Sequence, residues 1–172
     1  PPEPVAGWGD LMATALDAAE GDGVATAAVR TGDHITAGPW SLDVLGPRGP
    51  LAAGAPANDG SVVLHAAAAG FSALLTGDAE SHALGGLRLA PVDLLKVAHH
   101  GSADPGVGRL LTRLRPRAAV VSVGEGNTFG HPRGEVLAAL DAAGAATWRT
   151  DRDGDITLVE DDGALVAQTH RR

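Results

Sequence analysis

Three short stretches of the sequence place acidic and imidazole side chains where predicted strands end. Asp78 closes "LLTGD", His99 and His100 stand side by side in "LLKVAHHGSAD", and His131 lies in "GNTFGHP". Carboxylates and imidazoles are the ligands that a borderline divalent ion such as zinc or manganese takes in proteins. Loops at one edge of a rigid sheet are also where proteins commonly build their sites. Together the three stretches favour a divalent-metal or acid–base site.

Each stretch also has a purely structural interpretation. Asp78 can cap a helix that follows its strand, and the two adjacent histidines can be exposed, with Ser102 helping to cap the next helix. His131 can be an ordinary loop histidine. Four further histidines lie outside the three stretches and are interpreted as structural or surface residues: His34, His65, His82 and His170.

Apolar runs and turn residues predict the elements that must position these side chains. A helix from residue 104 is predicted to have Asp104 as its N-cap and Pro105 in its first position. The β-rich first third, the alternating middle and a hairpin at each end predict an α/β (α+β) fold with sheets layered against helices. Strands are predicted over 24–30, 40–47, 61–68, 71–78, 91–100, 117–124, 145–151, 154–160 and 164–170, and helices over 10–20, 79–88, 104–116 and 132–144.

Length and composition predict a single domain over residues 1–172. The chain is 44% hydrophobic, and no apolar run approaches the ~20 residues that a membrane span needs. The formal charge is −8 and no basic stripe is present, which counts against tight, non-specific nucleic-acid binding. Cysteine is absent, which excludes disulfides and thiolate zinc sites. No signal peptide is recognisable, and the opening "PPEPVAGWGD" suggests a piece of a longer protein.

The order and wording of the three stretches resemble a known family. From about Asn58 to Leu158, "GFSALLTGDAE", "VDLLKVAHHGSAD", "VSVGEGNTFGHP" and "TDRDGDITL" follow one another. This succession closely resembles the C-terminal metallo-β-lactamase-like domain of ComEC, the bacterial competence DNA-uptake channel. The resemblance implies an αββα sandwich with a divalent-metal site, for zinc or manganese, at one edge of its sheets.

The resemblance also implies roles for individual residues. Asp78 matches the bridging metal carboxylate and His100 the late histidine ligand, with His99 beside it as a second candidate that packs nearby or contacts substrate. His131 falls where the family has a histidine close to the metal, and is assigned to substrate phosphate or to a proton. The substrate-binding candidates are Asn58, Ser61 and Ser102.

One departure from the family is large. The signature His-x-His-x-Asp-His motif is not in this chain, and its nearest counterpart, Asp33-His34, has the wrong spacing and is predicted to lie in a turn. We therefore expect the sequence to begin downstream of that motif and to carry only part of a metal site. A catalytic zinc needs three protein ligands plus water, so we expect this chain alone to bind divalent metal weakly.

Three functions are compatible with the sequence. The first is a metal-dependent hydrolase that cleaves phosphodiesters, by family resemblance those of DNA during uptake, with single-stranded DNA and a polytopic membrane channel as partners. The second is a degenerate, non-catalytic module of such a channel, and the third is a hydrolase of small esters on the same fold. In the first two, the chain is a soluble domain of a bacterial cell-membrane protein on its extracytoplasmic side.

Overall fold

The computed structural model of the chain describes residues 8–161 and 163–171. Within them lie a seven-stranded sheet, a separate two-stranded sheet and five α-helices. This mixed architecture confirms the α/β (α+β) class and is compatible with an αββα sandwich. The strands are β1 His34–Ala37, β2 Trp40–Gly46, β3 Val63–Ala68, β4 Phe71–Leu75, β5 Leu94–Lys96, β6 Ala118–Val121, β7 Ala146–Arg149, β8 Asp155–Asp161 and β9 Ala164–His170; the helices are α1 Trp8–Gly21, α2 Ser81–Leu84, α3 Val107–Leu114, α4 Gly134–Ala142 and α5 Thr150–Asp153.

The large sheet has an antiparallel half and a parallel half. Strands β1 to β4 form an antiparallel meander, and β4 to β7 run parallel in chain order. Helices α2, α3 and α4 connect the parallel strands, as a parallel sheet requires. Because parallel strands end at the same edge, the segments that follow β4, β5, β6 and β7 all meet there.

Helix packing against the parallel half forms the core. In α3, Leu110, Leu111 and Leu114 are buried, which is the i, i+1, i+4 spacing of one helix face. They join Leu74 of β4 and Leu95 of β5 in one cluster that also includes Leu84 of α2 and Leu140 of α4. A fully buried leucine stabilises a fold by about 1.5–3 kcal/mol. The strands that carry the three polar stretches therefore rest on the buried core of the molecule.

The two predicted hairpins are confirmed. Strands β3 and β4 are joined at Ala69 and Gly70, with φ of 47° and 84°, a pair of left-handed residues that suits a two-residue hairpin. Strands β8 and β9 pair along their whole length, from Asp155 opposite His170 to Asp161 opposite Ala164. Helix α4 is also followed by a left-handed glycine, Gly144, as predicted.

The strand predicted over 24–30 is wrong. The segment has no regular structure and is exposed throughout; Val24 is 57% exposed. Its β-branched residues are separated by alanines that bury little area, and β-propensity without a partner strand does not form a sheet. The outer strand is instead β1, which begins at His34, so His34 lies in a strand and the turn precedes it.

The predicted start of α3 is also wrong. The helix begins at Val107, three residues beyond the expected start, and its N-cap position is Gly106. The buried Asp104 carboxylate accepts bonds from the backbone N–H groups of Ser81 (2.9 Å) and Gly106 (3.0 Å), and from the Ser81 hydroxyl. The side chain therefore joins the starts of α2 and α3, a tertiary contact that local sequence does not encode.

Within the described residues, no helix is both long enough and apolar enough to cross a membrane.

Candidate functional site

The three polar stretches meet at the carboxyl edge of the parallel strands. Asp78 follows β4, His99 and His100 follow β5, and His131 lies in the loop after β6. Backbone bonds fix these segments to one another. The His99 N–H donates to the Gly77 carbonyl (3.2 Å), and the Arg133 N–H donates to the Gly101 carbonyl (2.8 Å).

Asp78 and His100 face each other across a short gap. The Nε2 atom of His100 lies 3.9 Å from Oδ1 of Asp78, and both side chains are about half exposed. The other ring nitrogen, Nδ1, lies 2.6 Å from the Ser122 carbonyl oxygen. Because a carbonyl can only accept, Nδ1 carries a proton, and in the neutral ring Nε2 presents a lone pair to the carboxylate. Two electron donors that face each other at this distance suit a cation between them, since zinc bonds to nitrogen and oxygen are about 2 Å long.

The histidine pair lies in a strained turn. Residues 98–101 form a short turn in which His99 and His100 adopt left-handed backbone angles, with φ of 46° and 54°. Such conformations are uncommon for residues other than glycine and are enriched at functional sites. Gly101 follows with φ of 80°, and a Cβ atom there would lie 2.5 Å from Cβ of Pro132. Glycine is therefore required where the His99–His100 turn packs against the His131 loop.

His99 belongs to a hydrogen-bonded network that Glu80 organises. Nδ1 of His99 lies 2.9 Å from Glu80 Oε1 and 3.2 Å from Asn58 Nδ2. The ring nitrogen cannot both donate to Glu80 and accept from Asn58. The contact with Glu80 is shorter and charge-assisted, so we assign the proton to Nδ1 of His99. We therefore assign the side-chain amide of Asn58 with its oxygen, and not its nitrogen, toward this ring. The buried Ser102 hydroxyl donates to the same Glu80 oxygen.

His131 is packed among rings and kept neutral. Its ring centroid lies 5.7 Å from that of His99, and its Nδ1 atom is buried without a hydrogen-bond partner among the described residues. Burial lowers the pKa of His131 below its ordinary value of 6.5, and the neighbouring charges of His99, Arg133 and His100 lower it further, against the opposing effect of Glu80. A neutral imidazole with an unused nitrogen can accept a proton or donate to an anion.

Two cavities adjoin this edge of the sheet. One, of about 500 Å³, is lined by His100, Ser122, Val123, Gly124, Asn127, Phe129, His131 and Thr150. The other, of about 540 Å³, is lined by Glu80, Ser81, His82, Gly85, Asp104, Pro105, Gly106, Arg109, Leu110 and Arg113. His100 lines the first cavity, and Glu80, which bonds to His99, lines the second.

Comparison with known proteins finds two relatives of this chain. No family model matches the chain. It is 34% identical to ComE operon protein 3 of Bacillus subtilis over 145 residues, which cover 82% of this chain and 18% of that protein. It is also 34% identical to Recombination protein 2 of Haemophilus influenzae over 89 residues, which cover 51% of this chain and 11% of that protein. This chain is ComEC-like. It spans less than a fifth of the length of either relative.

The donors in the ComEC-like chain fit a metal ion only in part. Asp78 Oδ1 and His100 Nε2 are oriented for a shared cation, with Nδ1 of His100 held by a carbonyl as is usual for metal-binding histidines. Within the described residues, however, no group of three or more His, Cys, Asp or Glu side chains is arranged to hold a metal. His34 is not a further donor at this site, because it pairs with Asp43 (2.8 Å) on β1 and β2. The metal-ligand assignments therefore remain predictions.

The three predicted substrate-binding residues make contacts inside the ComEC-like chain. The Ser61 hydroxyl accepts a bond from the Asp78 N–H (3.2 Å), while Asn58 and Ser102 contact His99 and Glu80. These bonds orient the loops around Asp78 and His99. Contact with substrate stays a prediction for all three.

Sequence reasoning missed two residues of this site. Glu80 orients His99, and its signal was its position two residues after Asp78 in "TGDAE". Lys96, the only lysine of the chain, interrupts the apolar β5 and donates to the Gly77 carbonyl (3.1 Å). Burial lowers the pKa of Lys96, and the negative charge of Asp78 opposes that shift. A lone charge in a buried strand was the signal that could have identified Lys96.

Proposed function

We propose that the ComEC-like chain is part of a metal-dependent hydrolase that cleaves phosphodiester bonds of DNA. The observation that carries this proposal is the Asp78–His100 pair, in which two electron donors face each other 3.9 Å apart beside a cavity. A divalent ion such as zinc or manganese, held in part by these two residues, would supply a hydroxide at neutral pH and neutralise phosphate charge. The net charge of −8 makes such a cation useful, because the chain has no basic stripe to hold phosphate.

Other residues of the site have distinct tasks in this proposal. His131, kept neutral by its surroundings, accepts a proton or donates to a phosphate oxygen. His99 is fixed by Glu80, so its remaining nitrogen faces substrate in one orientation. By its similarity to the two relatives, we place the chain beside a membrane channel for DNA uptake, on the extracytoplasmic side, with single-stranded DNA as substrate.

A second candidate is a non-catalytic module of the same channel. The observation that favours it is that the described residues contain no complete set of metal donors. The two candidate functions predict different effects of divalent metal on DNA cleavage. A hydrolase cleaves DNA only with metal, whereas a non-catalytic module shows no metal-dependent cleavage under any condition.

The test is hydrolysis of a fluorescent single-stranded oligonucleotide by the natural polypeptide that carries this segment, with manganese, with zinc and with a chelator. His100→Ala should lower the metal-dependent rate roughly a hundredfold or more, because outer-shell changes alone cost 10- to 100-fold in metal affinity or activity. The matched control is His34→Ala, which removes a histidine paired with a carboxylate on β2, away from the site. Equal rates in both variants and the parent protein would contradict the proposal, and a small chromogenic ester tests the esterase alternative.

A further inference from the structure

Phe129 is the most exposed large apolar side chain among the described residues, with 77% of its surface in water. The sequence has one other phenylalanine, Phe71, which packs edge-to-face against Trp40 at a centroid distance of 6.3 Å. Phe129 lies in the glycine-rich loop between β6 and α4, which also carries His131. Burying a phenylalanine contributes about 1.5–3 kcal/mol, so this loop forgoes that stabilisation.

The exposed ring is held in place by the loop around it. The side chain of Asn127 accepts a bond from the Phe129 N–H (2.9 Å) through its oxygen and donates to the His131 carbonyl through its nitrogen. One amide thus joins the two ends of the Phe129–His131 segment. At the base of the loop, the Thr150 hydroxyl donates to the Val123 carbonyl (2.7 Å) and accepts from the Val123 N–H (2.7 Å). The ring is therefore presented to solvent by a bonded loop.

The rings form a series that leads to the candidate site. Phe129 and His131 are nearly parallel, with an interplanar angle of 11° and centroids 6.2 Å apart, and His131 in turn lies 5.7 Å from His99. Phe129 and His100 line the same cavity of about 500 Å³. A planar group on Phe129 therefore lies in the cavity that His100 lines, and Nε2 of His100 is 3.9 Å from Asp78 Oδ1.

The chemistry of this cavity favours a neutral planar ligand. Its lining includes no lysine, arginine, aspartate or glutamate; beside Phe129 and Val123 it has the Ser122 hydroxyl and two imidazoles, while the Asn127 amide and the Thr150 hydroxyl are hydrogen-bonded within the loop. A phosphate would find no fixed cation on these walls, whereas a nucleobase has an aromatic face and polar edges. Single-stranded DNA is bound in this way elsewhere, by stacking of bases on exposed aromatic side chains.

We infer that Phe129 is the stacking platform for one nucleobase of single-stranded DNA and positions the adjacent phosphodiester toward Asp78 and His100. This inference rests on the proposed phosphodiester hydrolysis and adds the residue that would recognise unpaired bases in its substrate. In duplex DNA the faces of the bases are already stacked, so a duplex cannot use Phe129.

The test uses this chain, with metal chelated, and an oligothymidylate of about 12 nucleotides, which is within the range of one single-strand site. One thymidine is replaced by 2-aminopurine, whose fluorescence falls when it stacks on an aromatic ring. Phe129→Ala should weaken binding roughly 10-fold or more and remove the quenching, since stacking on one aromatic residue contributes about 5- to 100-fold in affinity. Phe129→Trp should restore both, whereas Phe129→Leu, apolar but not aromatic, should not.

Trp40→Ala is the matched control, because Trp40 is a partly exposed aromatic residue on β2, separated from β6 by three strands. Unchanged binding and quenching in Phe129→Ala would overturn the inference, as would a parent chain that does not bind the oligonucleotide. The proposed hydrolysis fails separately, if the natural polypeptide shows no metal-dependent cleavage of the small diester bis(p-nitrophenyl) phosphate, which has no nucleobase. Loss of that cleavage with quenching intact leaves Phe129 a base-stacking residue of a non-catalytic module.

Discussion

Asp78 and Asp93 lie at opposite ends of the same parallel strands, and their surroundings differ completely. Asp93, just before β5, accepts bonds from the Ser72 N–H (2.9 Å), the Ser72 hydroxyl (3.0 Å) and the Arg117 guanidinium (3.3 Å). Asp78, just after β4, has Nε2 of His100 at 3.9 Å from its carboxylate. One carboxylate closes the amino edge of the strands with neighbours from β4 and the segment before β6. The Asp78 carboxylate, at the carboxyl edge, keeps oxygen atoms available for a ligand.

This difference distinguishes a structural polar group, Asp93, from a candidate functional one, Asp78, on the same sheet. Burial alone would raise the pKa of Asp93, but the Ser72 bonds and the Arg117 charge outweigh it and lower the pKa below the ordinary 3.8. At the other edge, the buried Nδ1 atom of His131 has no hydrogen-bond partner among the described residues, and Asp78 and His100 face each other 3.9 Å apart without a direct hydrogen bond. Most buried polar groups in proteins are satisfied, so the unpartnered Nδ1 atom of His131 favours a ligand at this edge.

The largest expected effect is on the proposed hydrolysis at the carboxyl edge. Asp78→Asn in the natural polypeptide should lower metal-dependent DNA hydrolysis roughly a thousandfold, because a metal-binding carboxylate supplies several kcal/mol of charge stabilisation. The free energy of unfolding of this chain, measured in urea, should change by less than about 0.5 kcal/mol, as for a surface substitution. Asp93→Asn should show the reverse pattern, with hydrolysis retained. If Asp78→Asn loses stability and keeps its activity, the two edges do not differ as described.

The next effect tests the strained turn that carries the histidine pair. Gly101→Ala should lower the free energy of unfolding by about 2–3 kcal/mol, because the added Cβ meets Pro132 and the left-handed backbone disfavours alanine. Gly108→Ala is the matched control: Gly108 is an exposed glycine of α3 with open space around it, where alanine should stabilise by about 0.5–1 kcal/mol. If Gly101→Ala left the free energy of unfolding unchanged, the close approach of the two loops would not be required.

The smallest effect is the pH dependence at the amino edge. Because the pKa of Asp93 is lowered on folding, its contribution to stability is present above pH 3.8 and is lost as the pH falls through the folded-state pKa. Asp93→Asn should therefore cost roughly 1–2 kcal/mol at neutral pH, and this difference from the parent chain should shrink toward pH 3. Urea unfolding at a series of pH values measures it. A difference that stays constant below pH 4 would contradict the assigned bonds.

Sequence reasoning was most successful where the signal is local. The Ala69-Gly70 turn, the β8–β9 hairpin and the end of α4 at Gly144 follow from turn chemistry and from apolar patterns over a few residues. It was wrong over 24–30 and at Asp104, where the outcome depends on partners distant in sequence. A strand needs another strand to pair with, and the Asp104 carboxylate bonds to Ser81 of a different helix.

The sequence by itself determined the class of the fold, the family and the side chains with chemistry to offer: Asp78, His99, His100 and His131. Only the tertiary structure decided how they are used. Parallel pairing of β4, β5 and β6 brings their carboxyl ends to one edge, and the left-handed turn after β5 directs His100 toward Asp78 and His99 toward Glu80. The physical reason for this division is that the sequence contains the residue types and their local periodicity. The distance between two loops depends instead on packing across the whole sheet.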